Sequence, residues 1–482
     1  MSIASALNNA VTGLTANARM AEVVSSNLAN ALTDGYARRS VDLSAVQVGG
    51  KGGGVQVDGI RRYVDAGLLA DRRLADAALG GQDERAAALI RLERELGTVD
   101  DPKGLSGRLA AFEAALISAA SDPASETRLE TVVSRLQDVA TTLNANNRTI
   151  QTMRQDADAA IAADVNALNT GLERVAALNR DILRVESTGQ DASALRDARQ
   201  RAVDQIAEIV PVREITRENG TIGLMTTNGV QLLDLRPVEI GFTPTPTITA
   251  DMTLGSGALS GLTLNGVPLD PATGVGRLTG GTLGAAFTMR DETLVAMQAE
   301  LDTVAADLVA RLQDATNDPS IAPGAPGLLT DLGGPLDLPD LPGLAGRVRV
   351  NDLIVPAAGG DVTALRDGLY AAAPLAVGDP TQLNRWAASL QTARADVPGA
   401  EARSAAGRIA AFTAGVGATR LEAEETLSFA AARWDTLREA ELAMGVDSDV
   451  EMQTLLRVEQ AYAANARVIE TVDFMMRRLM EI

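Results

Sequence analysis

Residues 3–28, IASALNNAVTGLTANARMAEVVSSNL, set Ile3, Leu7, Ala10, Leu14, Ala21, Val24 and Leu28 on one stripe, with Asn17 filling its single polar step. The steps alternate between four and three, the spacing that keeps one helix face turned toward a partner helix. The end of the chain repeats the pattern. Residues 455–479, LLRVEQAYAANARVIETVDFMMRRL, carry Leu455, Val458, Tyr462, Asn465, Ile469, Val472, Met476 and Leu479 at the same steps. Two matching seams predict terminal helices that pair as an antiparallel coiled coil. Placing Ile3 against Leu479 puts Asn17 opposite Asn465 and small Ala21 opposite large Tyr462; a buried Asn pair penalises slipped registers at a cost in stability. Ordinary amphipathic packing on another core would also produce a 3,4 repeat in an Ala-rich helix. So short a pair is weak alone, and both ends are expected to be mobile in the monomer and to order when neighbouring subunits cover them.

Working inward, the first helix is expected to stop at Asn30 to Tyr36, where Thr33-Asp34-Gly35 supplies turn chemistry. Val48 to Ile60 is Gly-rich with alternating Val55, Val57 and Ile60, and reads as an extended or hairpin stretch. A phosphate loop would need Gly-Lys followed by Ser or Thr, whereas Lys51 is followed by Gly52. From Leu129 to about Val185 the 3,4 pattern predicts one helix roughly 85 Å long, at 1.5 Å per residue. A shorter helix spans Ala192 to Ile209, before Pro211. Between Val212 and Thr282 the period becomes two, and Asn219-Gly220, Asn228-Gly229 and Asn265-Gly266 are hairpin signals. One helix is expected from Gly284 to about Thr316, then a Pro/Gly/Asp loop over 319–342, a strand at Arg347 to Val350, short helices, and long helices over 400–443 and 448–479.

The expected class is mainly α with an inserted β-rich region. Three parts are expected: an axial terminal domain of residues 1–60 and 445–482, a helical rod of 61–210, 284–316 and 353–444, and a small outer β domain of 211–283 and 317–352.

Composition removes many functions. The 482 residues contain no His and no Cys, so neither a Ser-His-Asp triad, a thiolate or imidazole zinc site, nor a disulfide framework is available. The 43 basic residues against 63 acidic ones leave a net charge of −20, which disfavours nucleic acid and anionic membranes. Aromatic residues make up 2% of the chain, which suits thin helical cores better than a globular enzyme interior. The first residues lack the pattern of a secretory signal peptide, and the uncharged stretch Met252 to Leu269 is too rich in Gly to span a bilayer. Acid pairs such as Asp100-Asp101 and Glu424-Glu425 read as solvated faces rather than catalytic dyads. No catalytic residue, cofactor or metal ligand is expected.

Ser25-Ser26-Asn27-Leu28-Ala29-Asn30, followed by Gly35, Tyr36 and Arg38, resembles the Asn-Asn-Leu-Ala-Asn...Gly-Tyr-x-Arg signature of the axial proteins of the bacterial flagellum, with Ser26 in place of the usual first Asn. Glu451 to Leu456 and Ala461 to Val468 resemble the matching C-terminal motif. Gly53 to Val57 leading to Ile60 to Asp65, Leu195 to Gln200, and Gly281 to Gly284 before Arg290-Asp291 resemble the members that join hook to filament. The resemblance implies a non-enzymatic subunit that leaves the cytoplasm through the flagellar type III export apparatus and self-assembles as a ring. Its neighbours would be hook protein below and hook-associated protein 3 above, after a cytosolic export chaperone has held its C-terminal helix, Met452 to Leu479. A hook or distal-rod subunit shares the end motifs, but the long helical middle favours the junction. A coiled-coil adhesin or scaffold would explain the heptads and leave Asn27 to Arg39 unexplained.

Overall fold

The computed structural model describes residues 3–48, 51–270 and 278–480. Its first half runs α1 (Ile3–Ala29), β1 (Arg39–Val48), β2 (Lys51–Arg62), α2 (Ala66–Leu96), α3 (Leu105–Ser121), α4 (Glu126–Ser187), α5 (Ser193–Ile209), β3 (Val212–Thr216), β4 (Ile222–Thr226) and β5 (Gln231–Leu233). The second half runs β6 (Ile240–Gly241), β7 (Thr263–Leu264), β8 (Val267–Pro268), α6 (Gly281–Thr288), α7 (Leu294–Gln313), β9 (Leu329–Asp331), β10 (Val348–Val350), α8 (Thr381–Gln391), α9 (Ala405–Ala443) and α10 (Ser448–Met480). The architecture is mainly α with small inserted sheets, as the periodicity predicts. Two compact units divide the chain, one of residues 1–79, 166–240 and 430–482, the other of 80–165 and 241–429.

In the first unit α1 and α10 run side by side in opposite directions, since Asn27 bonds Glu451 while Gly13 faces Asn465. The Gly-rich stretch is a hairpin: β1 and β2 pair from Arg39↔Arg62 to Val48↔Lys51, with bulges after Asp42 and Ala45. Gly49 and Gly50 at its turn lie outside the described residues. The hairpin lies on α1, where Asn8 Nδ2 donates to the Gly53 carbonyl at 3.0 Å and Thr12 Oγ1 accepts from the Val55 amide at 3.3 Å. Two asparagines on α4 tie strands to it. Asn179 exchanges both amide bonds with the Ile222 backbone, and Asn169 does the same with Ile240. Each saturates backbone groups that would otherwise be buried without a partner. The hairpin β3–β4 turns through Asn219-Gly220, and β5 follows Asn228-Gly229.

In the second unit the helical stripes meet in one core. Phe112 and Leu116 of α3, Leu136 and Leu143 of α4, Leu308 of α7, Trp386 of α8 and Ile409 of α9 are all buried in it. The strand pair β9–β10 joins this same core through Leu329 and Val348, so a strand lies inside the expected loop 319–342. Asn265-Gly266, with φ of 50° and 79°, makes the expected tight turn between β7 and β8. The expected single helix 284–316 is instead two helices joined by a π turn, Met289–Thr293. That turn brings Arg290 wholly inside, where it pairs with Asp158 at 2.6 Å and Asp291 at 2.8 Å and lies over the rings of Phe287 and Phe242. A buried guanidinium needs such paired acceptors.

Candidate functional site

The described residues hold no group of three or more side chains fit for a metal, and none of their helices is long and apolar enough to cross a membrane. What stands out is the convergence of the two terminal motifs in the first unit. Helix α1 ends where the Asn30 amide and side chain both return to the Ser26 carbonyl, at 3.1 and 2.8 Å. The chain then turns through Gly35 at φ +70°, where a Cβ would sit 2.6 Å from Arg201 Cγ, so a side chain there is both strained and blocked.

That turn returns Tyr36 and Arg38 toward the helix they have just left. Asn27, fully buried, uses its whole amide. Its Nδ2 donates to the Arg39 carbonyl at 2.8 Å and to Glu451 Oε2 at 3.1 Å, while its Oδ1 accepts from Tyr36 Oη at 2.9 Å and the Arg39 amide at 3.0 Å. Glu451, in the first turn of α10, is equally buried, and its other oxygen accepts from Arg38 Nε at 2.7 Å. One carboxylate therefore reads Asn27 and Arg38 together. Ser26, which departs from the family pattern, keeps a polar contact to Tyr36 Oη at 3.3 Å. Beyond the clasp, Arg39 pairs with Asp197 of α5, and Asp197 also takes Arg62 Nη2 at 2.6 Å.

A second network ties α2, α5 and α9. Arg72 reaches Asp76, Asp204 at 2.7 Å and Glu441 at 2.8 Å, and Trp434 Nε1 donates to Asp76 at 2.5 Å. Burial pushes the Asp76 carboxyl above its ordinary range despite Arg72 beside it.

The seam residues divide. Asn17, Val24, Val458 and Val472 are buried; Ile3, Leu14, Leu28, Leu455, Asn465 and Ile469 are half-buried; Leu7, Tyr462, Met476 and Leu479 are exposed. Of the other motif residues, Asn30 and Tyr36 are half-buried and Ala29 is exposed. The expected register is corrected: Asn465 lies against Gly13, where a Cβ would be 2.8 Å from its Nδ2, and no hydrogen bond joins it to Asn17. The clasp at Asn27 and Glu451 fixes this register, one helical turn from the alignment that counts layers from the chain ends. Glu451 and Arg39 were not among the expected site residues. The signal for Glu451 was present, because stepping back four from Leu455 extends the seam to a carboxylate, and an acid at a seam position demands a buried partner. On the face of α10 turned away from α1, Leu456 and Phe474 stay uncovered, 53 and 59% exposed.

Comparison with known proteins matches three family models: flagella basal body rod protein over residues 7–36, the flagellar hook-associated protein FlgK helical domain over 89–325, and the flagellar basal body rod FlgEFG protein C-terminal over 442–482. All three models describe axial proteins of the bacterial flagellum. Among its relatives, flagellar hook-associated protein 1 of Bacillus subtilis is 23% identical over 97% of this chain and 96% of that protein. The protein of the same description from Salmonella typhimurium is 28% identical over 48% of this chain and 43% of its own length. A solved flagellar hook junction protein FlgK from Burkholderia pseudomallei is 21% identical, with a TM-score of 0.45 over 54% of this chain and 46% of that one.

Proposed function

We propose that the protein is a structural subunit of the bacterial flagellum that forms the junction between hook and filament and assembles through its terminal helices. The observation that carries this reading is the clasp. Asn27, Arg38 and Glu451 bind the two terminal motifs into one element, while the apolar side chains on the outer face of α10 are left for other subunits. Large apolar side chains left exposed on a helix mark an association surface, and heterologous contacts whose rotation closes generate a ring.

In this reading the protein performs no catalysis. Copies of the chain pack as a ring with hook protein on one side and hook-associated protein 3 on the other. Before that the chain is held by a cytosolic chaperone and travels through the flagellar type III export apparatus. Residues 1–60 and 445–482 serve as the axial part, 61–210, 284–316 and 353–444 as the stiff helical part, and 211–283 and 317–352 as the outer strand-rich part. The absence of Cys suits a chain that crosses a channel and refolds outside without disulfides.

The paired substitution Leu456→Glu with Phe474→Glu tests the surface, because both side chains are exposed and the isolated chain does not need them to fold. Cells carrying it should release the protein into the medium and lack filaments. Filaments in normal number would refute assembly through this face.

A further inference from the structure

A cleft of about 440 Å³ opens on the first unit between the start of α2, α5 and β3. Its floor is apolar, formed in part by Leu69, Leu74 and Val212, and five arginines are among the residues that border it: Arg62, Arg73, Arg196, Arg199 and Arg213. This is a local inversion of charge on a chain with 63 acidic and 43 basic residues. The carboxylates around it are already engaged. Asp197 serves both Arg39 and Arg62, and Asp204 serves both Arg72 and Arg73. Glu214, on the cleft wall, accepts from Arg73 at 3.0 Å, and Glu186 pairs with Arg196 at 2.6 Å. Asp71 also lines the cleft, at its exposed edge.

Two arginines remain without a carboxylate of their own. Arg199 Nη1 donates to Asn179 Oδ1 and to the Gly220 carbonyl, both at 2.9 Å, and its other nitrogens take no protein acceptor. Arg213 stands exposed on β3 and has no ion-pair partner among the described residues. Burial pulls the Arg199 guanidinium below its ordinary range, with Glu214 opposing, which marks a cation short of compensating charge.

We infer that this cleft binds a carboxylate-bearing ligand, held between Arg196, Arg199 and Arg213 over the apolar floor. Guanidinium forks favour planar carboxylates, to which they offer paired N–H donors. The carboxylate arrives either on a small free polycarboxylate or on an acidic polypeptide segment. Calorimetric titration of the full-length protein with citrate and, separately, with a hexaglutamate peptide at constant ionic strength separates these sources. Arg213→Gln removes one contact without touching a paired group, and Arg385→Gln, an exposed arginine on α8, serves as the control for general charge.

Saturable binding of at least one probe is expected, about tenfold weaker in Arg213→Gln and unchanged in Arg385→Gln. Binding of citrate alone would support a free ligand, and binding of hexaglutamate alone a polypeptide one. No saturable binding of either probe, or equal losses in the two variants, would overturn the inference.

Discussion

Asn27 shows how much one side chain decides here. All four of its hydrogen bonds are internal, and they join α1, the returning strand and α10. Asn27→Ala would leave the Glu451 carboxylate with Arg38 alone and the Tyr36 hydroxyl with Ser26 alone, and would strand the Arg39 backbone groups. A loss of about 2–4 kcal/mol is expected, because buried groups left unpaired bear their full desolvation penalty. Amide hydrogen exchange along α1 and α10 measures it, and protection equal to the wild type would contradict the clasp. Asp164 makes a different point about buried charge. Burial pushes its carboxyl upward and only the Thr282 hydroxyl, at 2.8 Å, opposes this. The folded state therefore holds that proton more tightly than the unfolded chain, so stability falls as pH rises from the ordinary carboxylate range through the raised value. Asp164→Asn should remove that slope and melt higher than wild type at pH 7 in thermal unfolding scans from pH 4 to 7. A steeper slope, or a lower melting point at pH 7, would count against the assignment. The Asp164–Thr282 contact was not legible from spacing, since it depends on packing between elements distant in sequence, whereas the seam marked Glu451 as an acid in need of a buried partner without naming Asn27.

The elements themselves were largely legible. The 3,4 stripes of α1, α4 and α10, and the tight turn at Asn265-Gly266, follow directly from side-chain periodicity and turn chemistry. The register of α1 on α10 was not, because counting layers from the chain ends ignores the two features that set it, the close approach at Gly13 and the buried Glu451. The π turn was hidden for a similar reason. An apolar pattern running through Met289 and Leu294 looks continuous, and only the need to bury Arg290 with Asp158 and Asp291 interrupts it. The register carries its own prediction. Gly13→Val should weaken the pairing of α1 with α10, and combining it with Asn465→Ala should restore much of the loss, a non-additivity of about 1–2 kcal/mol in a double-mutant cycle. Changes at Asn17 and Asn465 should instead add. Coupling at Asn17 with additivity at Gly13 would place the helices one turn away.

For the whole molecule, the absence of His leaves no side chain with an ordinary pKa near neutrality, so pH sensitivity falls to displaced carboxylates such as Asp76, Asp164 and Asp302. The long helices, the clasped termini and the uncovered apolar side chains of α10 together describe a subunit built to assemble with others. The most direct measurement is electron microscopy of cells lacking this gene, with flagellin assayed in the medium. Hooks without filaments, and flagellin shed outside, are the predicted result. Cells without hooks would move the protein down the axis to rod or hook, and normal flagella would contradict the junction role altogether.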